Sequence, residues 1–151
     1  MGRQYTTEIE KDLTLPVDSI HRARLLEVKE RSFEYTDKST GMLKTSENLE
    51  WWWEVTVPGA GLDSDYIGRR VKGECRPKIT NREGNRFREW AEAILDREIP
   101  VGMVIDLDDL VGLEAEIVIG HRGDKKDPTK VYEEVVGVLP ATGAQTAEPP
   151  F

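Results

Sequence analysis

Residues 49–57 read LEWWWEVTV, a stretch in which apolar and polar side chains alternate around three consecutive tryptophans. Because successive side chains of a strand point to opposite faces, this period of two predicts a half-buried β-strand over residues 48–57. One parity is entirely apolar and is expected to face a core: Leu49, Trp51, Trp53, Val55 and Val57. The other parity carries Trp52 beside Glu50, Glu54 and Thr56, which places this tryptophan on the outer face of the predicted sheet.

Two more strands are predicted around this one. In residues 20–31 the apolar parity switches after Leu25 to Leu26 and Val28, which indicates a strand bent by a β-bulge. A polar turn over residues 37–45, containing Gly41, joins it to the tryptophan-rich strand. Residues 67–76 predict the third strand, with Val71, Gly73 and Cys75 inward and Arg70, Lys72, Glu74 and Arg76 outward.

The second half of the chain predicts one helix and two strands. Thr80 and Glu83 have the spacing of a helix-capping box. Beyond it, apolar residues recur at helical spacing: Phe87, Trp90, Ala91, Ile94 and Leu95. After the break at Pro100 and Gly102, residues 113–121 and 130–139 predict strands four and five, the last with Val131, Val135 and Leu139 on one parity.

The order of three strands, one helix and two strands predicts the fold class. It is all-β with one helix, a five-stranded oligonucleotide-binding (OB) barrel in the order β1-β2-β3-α-β4-β5. A chain of 151 residues suffices for one such domain. We expect an N-terminal arm over residues 1–19, the OB domain over 20–140 and a flexible C-terminal tail over 141–151.

Composition indicates a soluble protein whose charge is unevenly distributed. No apolar stretch follows Arg3, so we expect no secretory signal and a location in the bacterial cytoplasm. The net charge of −8 argues against a nucleic-acid partner. Residues 20–90, however, hold 14 Lys and Arg against 12 Asp and Glu (net +2), which leaves 7 against 17 (net −10) elsewhere. The near-neutral half could therefore present a local basic surface.

The predicted outer face combines basic and aromatic residues, the mixture that binds single-stranded nucleic acid through phosphate contacts and base stacking. On the strands these residues are Arg22, Arg24, Trp52, Arg70, Lys72 and Arg76. The two flanking loops would add Lys38 and Lys44 on one side and Arg122, Lys125, Lys126 and Lys130 on the other. Tyr132, Phe33 and Tyr35 are further stacking candidates. Charge and stacking carry no base-specific readout, so binding would be sequence-nonspecific and salt-dependent.

The sequence also leaves functions other than DNA binding open. Trp52 could instead form an oligomer contact, and the acidic half would suit an OB-like protein-interaction module without nucleic-acid binding. His21 and His121 lie on different strands without a nearby cysteine, and Cys75 has no disulfide partner, so neither indicates a zinc or redox site. Asp106, Asp108 and Asp109 could bind a divalent cation but read better as a solvated turn. We therefore expect no enzyme, no metal and no cofactor.

Four segments resemble the single-stranded-DNA-binding proteins of bacteriophages over about residues 20–140. They are the opening IHRARL of residues 20–25, the tryptophan-rich strand, Arg88-Glu89-Trp90 in the helix, and residues 110–113 entering the strand EAEIVI of 114–119. The resemblance implies a role in phage DNA replication or recombination, with single-stranded DNA as partner. Whether the protein forms a homo-oligomer stays open at this point.

The chain ends on Glu148-Pro149-Pro150-Phe151, which is similar to the acidic tips by which bacterial single-stranded-DNA-binding proteins recruit partners. A terminal Phe can enter an apolar pocket while its α-carboxylate pairs with a basic residue. The resemblance implies docking of replication or recombination proteins. The other interpretation is a tail that ends in Phe by chance, since only Glu148 is acidic.

Overall fold

A computed structural model describes residues 3–5, 12–124, 126–127 and 129–141. Its strands are β1 (Ile20–Thr36), β2 (Leu43–Val57), β3 (Arg70–Cys75), β4 (Glu114–Gly123) and β5 (Val131–Leu139), and its helix is α1 (Arg86–Leu95) between β3 and β4. The predicted mostly-β class and the order of the elements are confirmed. Strands β1 and β2 are longer than predicted, because their pairing continues through the polar residues on both sides of the turn.

The five strands form one open antiparallel sheet in the order β3-β2-β1-β4-β5. The sheet curls until its edge strands, β3 and β5, face each other. A Cβ atom added to Gly73 would lie 2.9 Å from the backbone oxygen of Val135. No ladder pairs β3 with β5 in the described part of the chain, so the edges meet through packing and the sheet is not closed.

The predicted bulge in β1 is confirmed, and it explains the switch of apolar parity. The β1–β2 register shifts between Leu25 and Glu27. Leu25 is buried in the core, whereas Leu26 and Val28 are only half-buried. An extra residue rotates the rest of the strand by one position, so β1 covers the core in its first half and follows β2 outward in its second.

Three aromatic side chains organise the centre of the core. Trp51 is fully buried and packs edge-on against Phe87 and Trp90 of α1, with ring centroids 5.5 and 5.6 Å away. Its indole N–H donates to Cys75 Sγ at 3.1 Å, and burial raises the pKa of the Cys75 thiol to about 11. The predictions of Trp51, Trp53 and Cys75 as core residues are confirmed.

The predicted capping box is wrong, although the buried face of the helix was predicted correctly. Helix α1 begins at Arg86, and Asn85 caps it by accepting a hydrogen bond from the Arg88 N–H at 2.9 Å. Thr80 and Glu83 precede Gly84, whose φ of 85° is incompatible with a continuing helix. The helix ends at Leu95, and Asp96 follows it as the C-cap in the left-handed conformation.

Bulges also overturn parts of the predicted inward faces. Val57 is 56% exposed, because an extra residue in β2 aligns it with the outward Arg22. Val136 is the corresponding extra residue in β5, so the buried side chain near the end of that strand is Val138 and not Leu139. Val131 is exposed because it lies opposite Gly123, at the end of the β4–β5 hairpin.

Leu15 belongs to the core although no periodic pattern surrounds it. Its side chain is fully buried, its N–H donates to Glu133 Oε2 at 2.6 Å, and its carbonyl oxygen lies 2.6 Å from His121 Nε2. His121 and Glu133 are opposite one another on β4 and β5. The backbone N–H and carbonyl group of Leu15 therefore hold the segment before β1 against the sheet.

His21 makes the stability of the fold sensitive to acid. It is buried, its Nδ1 accepts a hydrogen bond from the Gly59 N–H at 2.9 Å, and its Nε2 lies 2.7 Å from Ser19 Oγ. The Gly59 contact requires an unprotonated Nδ1, and burial lowers the pKa of His21 below its ordinary value of 6.5.

We expect neutral His21 to contribute fully to the free energy of unfolding above about pH 6.5. Between pH 6.5 and the lower pKa of His21 in the folded protein, only the unfolded chain takes up a proton at this residue, so the contribution is lost as the pH falls. Urea unfolding at several pH values measures this loss. In His21→Gln the free energy of unfolding is expected to depend less on pH over the same range. An NMR titration of the folded protein that gave His21 a pKa of 6.5 or higher would contradict the prediction.

Candidate functional site

A cleft of about 420 Å³ lies on the outer surface where β3 faces β5. Trp52, Arg70 and Lys72 come to it from β2 and β3, where Trp52 is opposite Lys72 and Glu54 is opposite Arg70. Arg122 and Tyr132, paired across β4 and β5, form the facing wall. The cleft thus joins five of the residues predicted on the outer face and its flanking loop: Trp52, Arg70, Lys72, Arg122 and Tyr132.

Trp52 is half-buried between two lysines. The ammonium groups of Lys29 and Lys72 each lie 5.9 Å from the centroid of its ring, near the outer limit of a cation–π contact. Within the described residues its indole Nε1 has no hydrogen-bond partner. Side-chain packing therefore positions the ring, and the two cations beside it are on long, flexible chains.

Glu50 was expected on the outer face, where it would repel phosphate unless a neighbouring cation paired with it. The structure buries it and pairs it twice: Arg31 Nε and Lys72 Nζ each lie 3.1 Å from its carboxylate. Burial by itself would raise the pKa of Glu50, but the hydrogen bonds from Lys72 and Arg31 outweigh it and lower the pKa. Glu50 is therefore an ionised carboxylate, two residues from Trp52 on β2, whose charge is balanced by Arg31 and Lys72.

The cations of the cleft fall into two groups. Arg69 is bound to Glu133, with Nε 2.6 Å from Oε1, and Lys72 is shared between Glu50 and Glu74. Arg70 and Arg122 are exposed, and in the described part of the chain neither is held in an ion pair. These two guanidinium groups are the ones available to an anionic ligand.

Tyr132 is half-exposed at the rim of the cleft. Its hydroxyl donates to Asp124 Oδ2 at 3.2 Å, and this hydrogen bond raises the pKa of the tyrosine. The Lys126 N–H donates to the other carboxylate oxygen of Asp124 at 2.8 Å. The turn between β4 and β5 thus orients Tyr132, while Lys126 contributes its backbone to the turn.

The remaining predicted residues lie away from this cleft or outside the described chain. Arg22 pairs with Glu114 of β4 at 2.6 Å, and Arg24 is exposed on β1 opposite Glu54. Lys44 binds Asp37 at 2.6 Å beside the exposed Lys38, and hydrogen bonds from Lys44 and Ser39 lower the pKa of Asp37 to about 2. Arg76 lines a second cleft with Phe33 and Tyr35. Lys125, Glu148, Pro149, Pro150 and Phe151 lie outside the described residues.

Lys29 and Arg31 were not predicted as site residues, although both contact the surroundings of Trp52. Their position follows from the bulge at Leu26, beyond which odd-numbered residues of β1 face outward. The parity switch in the sequence carried this signal. The signal was not applied to Lys29 and Arg31, although both lie within the strand predicted over residues 20–31.

The acidic turn at Asp106 and the helix composition bear on two other kinds of function. Asp106 caps a short turn by accepting a hydrogen bond from the Asp108 N–H at 3.0 Å. The described residues contain no group of three or more His, Cys, Asp or Glu that could hold a metal ion. Among the same residues no helix is long and apolar enough to span a membrane.

Comparison with known proteins leaves the side chains of the cleft as the basis for a functional assignment. No family model matches the chain, and no curated protein matches it significantly. A half-buried aromatic ring, two guanidinium groups without an ion pair among the described residues, and a rim tyrosine together favour a ligand that is both flat and anionic.

Proposed function

We propose that the protein is an OB-fold domain that binds single-stranded DNA without sequence specificity and without catalysis. The strand order, the helix between β3 and β4, and an open sheet whose edges face each other support this proposal, because a partly open five-stranded Greek-key barrel would have the same features. The outer surface of β2 and β3 in that fold is a common site for oligonucleotides. A setting in phage DNA replication or recombination is supported by the sequence resemblance alone.

The observation that carries the proposal is the position of Trp52 in a cleft with exposed Arg70 and Arg122. A base would stack on the indole and displace one of the two lysine ammonium groups, which could then pair with the adjacent phosphate. Arg70 and Arg122 would hold phosphates on either side, and Tyr132 would contact a neighbouring base. The buried ion pairs of Glu50 reduce repulsion at the same place.

Salt dependence tests the proposal directly. With about three phosphate contacts, log K should fall against log salt with a slope of about −2, so affinity for oligo-dT drops on the order of 20-fold between about 50 and 200 mM salt. Tryptophan fluorescence measures the binding, and recovery of intact oligonucleotide in the presence of Mg²⁺ checks the absence of catalysis. No binding at low salt would overturn the proposal.

Removing both available guanidinium groups should change the slope itself. In the variant Arg70→Gln with Arg122→Gln we expect a salt slope smaller by about 1.4, because two phosphate contacts are lost. Arg82→Gln, in the exposed loop before α1, is the matched control and should leave the slope unchanged. Equal slopes for all three proteins would mean that phosphates do not bind in this cleft.

A protein-interaction module is the alternative, and Glu74 and Glu134 in the wall of the cleft favour it. A basic protein segment would pair with these carboxylates where DNA would be repelled. Binding that survives high salt, or self-association in place of oligo-dT binding, would support it. We also propose that residues 148–151 recruit protein partners, so their deletion should leave oligo-dT affinity unchanged.

A further inference from the structure

The outer halves of β1 and β2 form a two-stranded ribbon that extends beyond the other strands. The two strands pair continuously from Glu27 and Trp52 to Thr36 and Leu43. In contrast, β4 pairs with β1 only over Ile20 to Arg24, and β3 pairs with β2 only over Leu49 to Glu54. Residues 29–36 and 43–48, here called the β1–β2 ribbon, therefore have two faces but no sheet neighbours in the described chain.

The two faces of the β1–β2 ribbon carry opposite charge. Since side chains alternate along an unbulged strand, one face carries Lys29, Arg31, Phe33, Tyr35 and Lys44. The opposite face carries Glu30, Glu34 and Glu47. Contacts confirm which face is which, because Lys29 lies over the Trp52 ring and Arg31 binds Glu50. The basic and aromatic face is thus continuous with the wall of the Trp52 cleft.

A second cleft, of about 610 Å³, lies between the ribbon and the residues that follow β3. Phe33 and Tyr35 are 50% and 44% exposed, with ring centroids 6.5 Å apart. Arg76 and Lys78 line the same cleft, and so does Glu47, although its position on β2 belongs to the acidic face. The ribbon has no core for these rings to fill, so core packing does not account for two adjacent exposed aromatic side chains beside two cations.

We propose that the β1–β2 ribbon continues the DNA site on one face only, with Phe33 and Tyr35 as a second stacking platform and Arg76 and Lys78 as its phosphate contacts. This inference rests on the proposed function. Phe33 lies six residues beyond Glu27, the β1 partner of Trp52, which separates the platforms by roughly 20 Å. A short oligonucleotide occupies one stacking platform, and a longer oligonucleotide reaches both. The acidic face repels phosphate and keeps the DNA on the basic face of the β1–β2 ribbon.

Oligonucleotide length tests the inference. We compare binding of oligo-dT of about 4 and about 12 nucleotides, lengths within the range of site sizes for one OB domain. The variant Phe33→Ala with Tyr35→Ala should weaken binding of the longer strand by about 10-fold or more and leave the shorter strand unaffected. The matched control on the opposite face, Glu30→Gln with Glu34→Gln, should not weaken either.

A second variant guards against damage to the ribbon itself. Arg76→Gln with Lys78→Gln lies outside the ribbon and should lower only the affinity for the longer strand, with a smaller salt slope for that strand alone. If neither variant changes binding of the longer strand while the wild type binds it in a salt-sensitive way, the ribbon inference is wrong and the proposed function stands. If the wild type binds neither length at low salt, the proposed function fails first.

Discussion

Replacing Trp52 with alanine is expected to lower the affinity for oligo-dT by about 5- to 140-fold at constant salt. Stacking of one base on an aromatic side chain is worth about 1–3 kcal/mol, and each 1.4 kcal/mol changes the dissociation constant tenfold. Because the indole carries no charge, the salt slope should remain that of the wild type. Fluorescence anisotropy of labelled oligo-dT at several salt concentrations measures both quantities.

Trp52→Phe is the matched control, because it keeps a ring between Lys29 and Lys72 and should retain most of the affinity. Unfolding in urea shows whether either variant is destabilised, which we expect to be a minor effect for a half-buried residue. Unchanged DNA affinity in Trp52→Ala would remove the ring as a stacking platform. A simultaneous fall in molecular mass in solution would then identify Trp52 as a contact between subunits.

Replacing Gly73 with alanine should cost the fold about 2–3 kcal/mol of its free energy of unfolding. A Cβ atom at this position would lie 2.6 Å from Trp90 Cη2 and 2.9 Å from both the Cβ and the backbone oxygen of Val135. Trp90 is packed edge-on against Trp51 and cannot rotate away, and the Val135 atoms belong to the facing edge strand. The substitution must therefore push β5 away from β3.

Two other glycines give a graded comparison for urea unfolding. No atom lies within 4 Å of a Cβ added to Gly123, so Gly123→Ala should be neutral or slightly stabilising. At Gly120 the nearest atom is the Cγ1 of Val136 at 2.5 Å, a side-chain atom that can move, so an intermediate loss is expected. If Gly73→Ala were as stable as Gly123→Ala, β3 and β5 would be able to move apart without loss of stability, and the prediction would be wrong. The denaturant m-value should stay constant throughout.

Gly73 and Trp52 lie on opposite faces of the same part of the sheet. Gly73 lies on the inner face of β3, where the sheet edges meet, and Trp52 stands on the outer face one strand away. A substitution that separates β3 from β5 would also widen the cleft between Arg70 and Arg122. We therefore expect any folded Gly73 variant to bind oligo-dT more weakly, although Gly73 itself does not contact the cleft.

Features set by neighbours along the chain could be predicted from the sequence. The alternation of residues 49–57 correctly assigned Trp51 and Trp53 to the core and Trp52 to the other face. The spacing of Phe87, Trp90 and Ile94 correctly assigned the buried side of α1. The parity switch near Leu26 correctly indicated a bulge. Each of these depends on the local period of a strand or helix, which the order of residues determines by itself.

Only the tertiary structure decided which residues from distant segments meet. Glu50 is buried because Arg31 and Lys72, on the two neighbouring strands, both reach it. Leu15 enters the core because His121 and Glu133 hold its backbone. Strand register and bulge position fix these encounters, and a shift of one residue reverses which face a side chain occupies. The sequence by itself determined the order of the strands and the helix and most of their inward residues; the curl of the sheet brought Arg70 and Arg122 to one cleft beside Trp52.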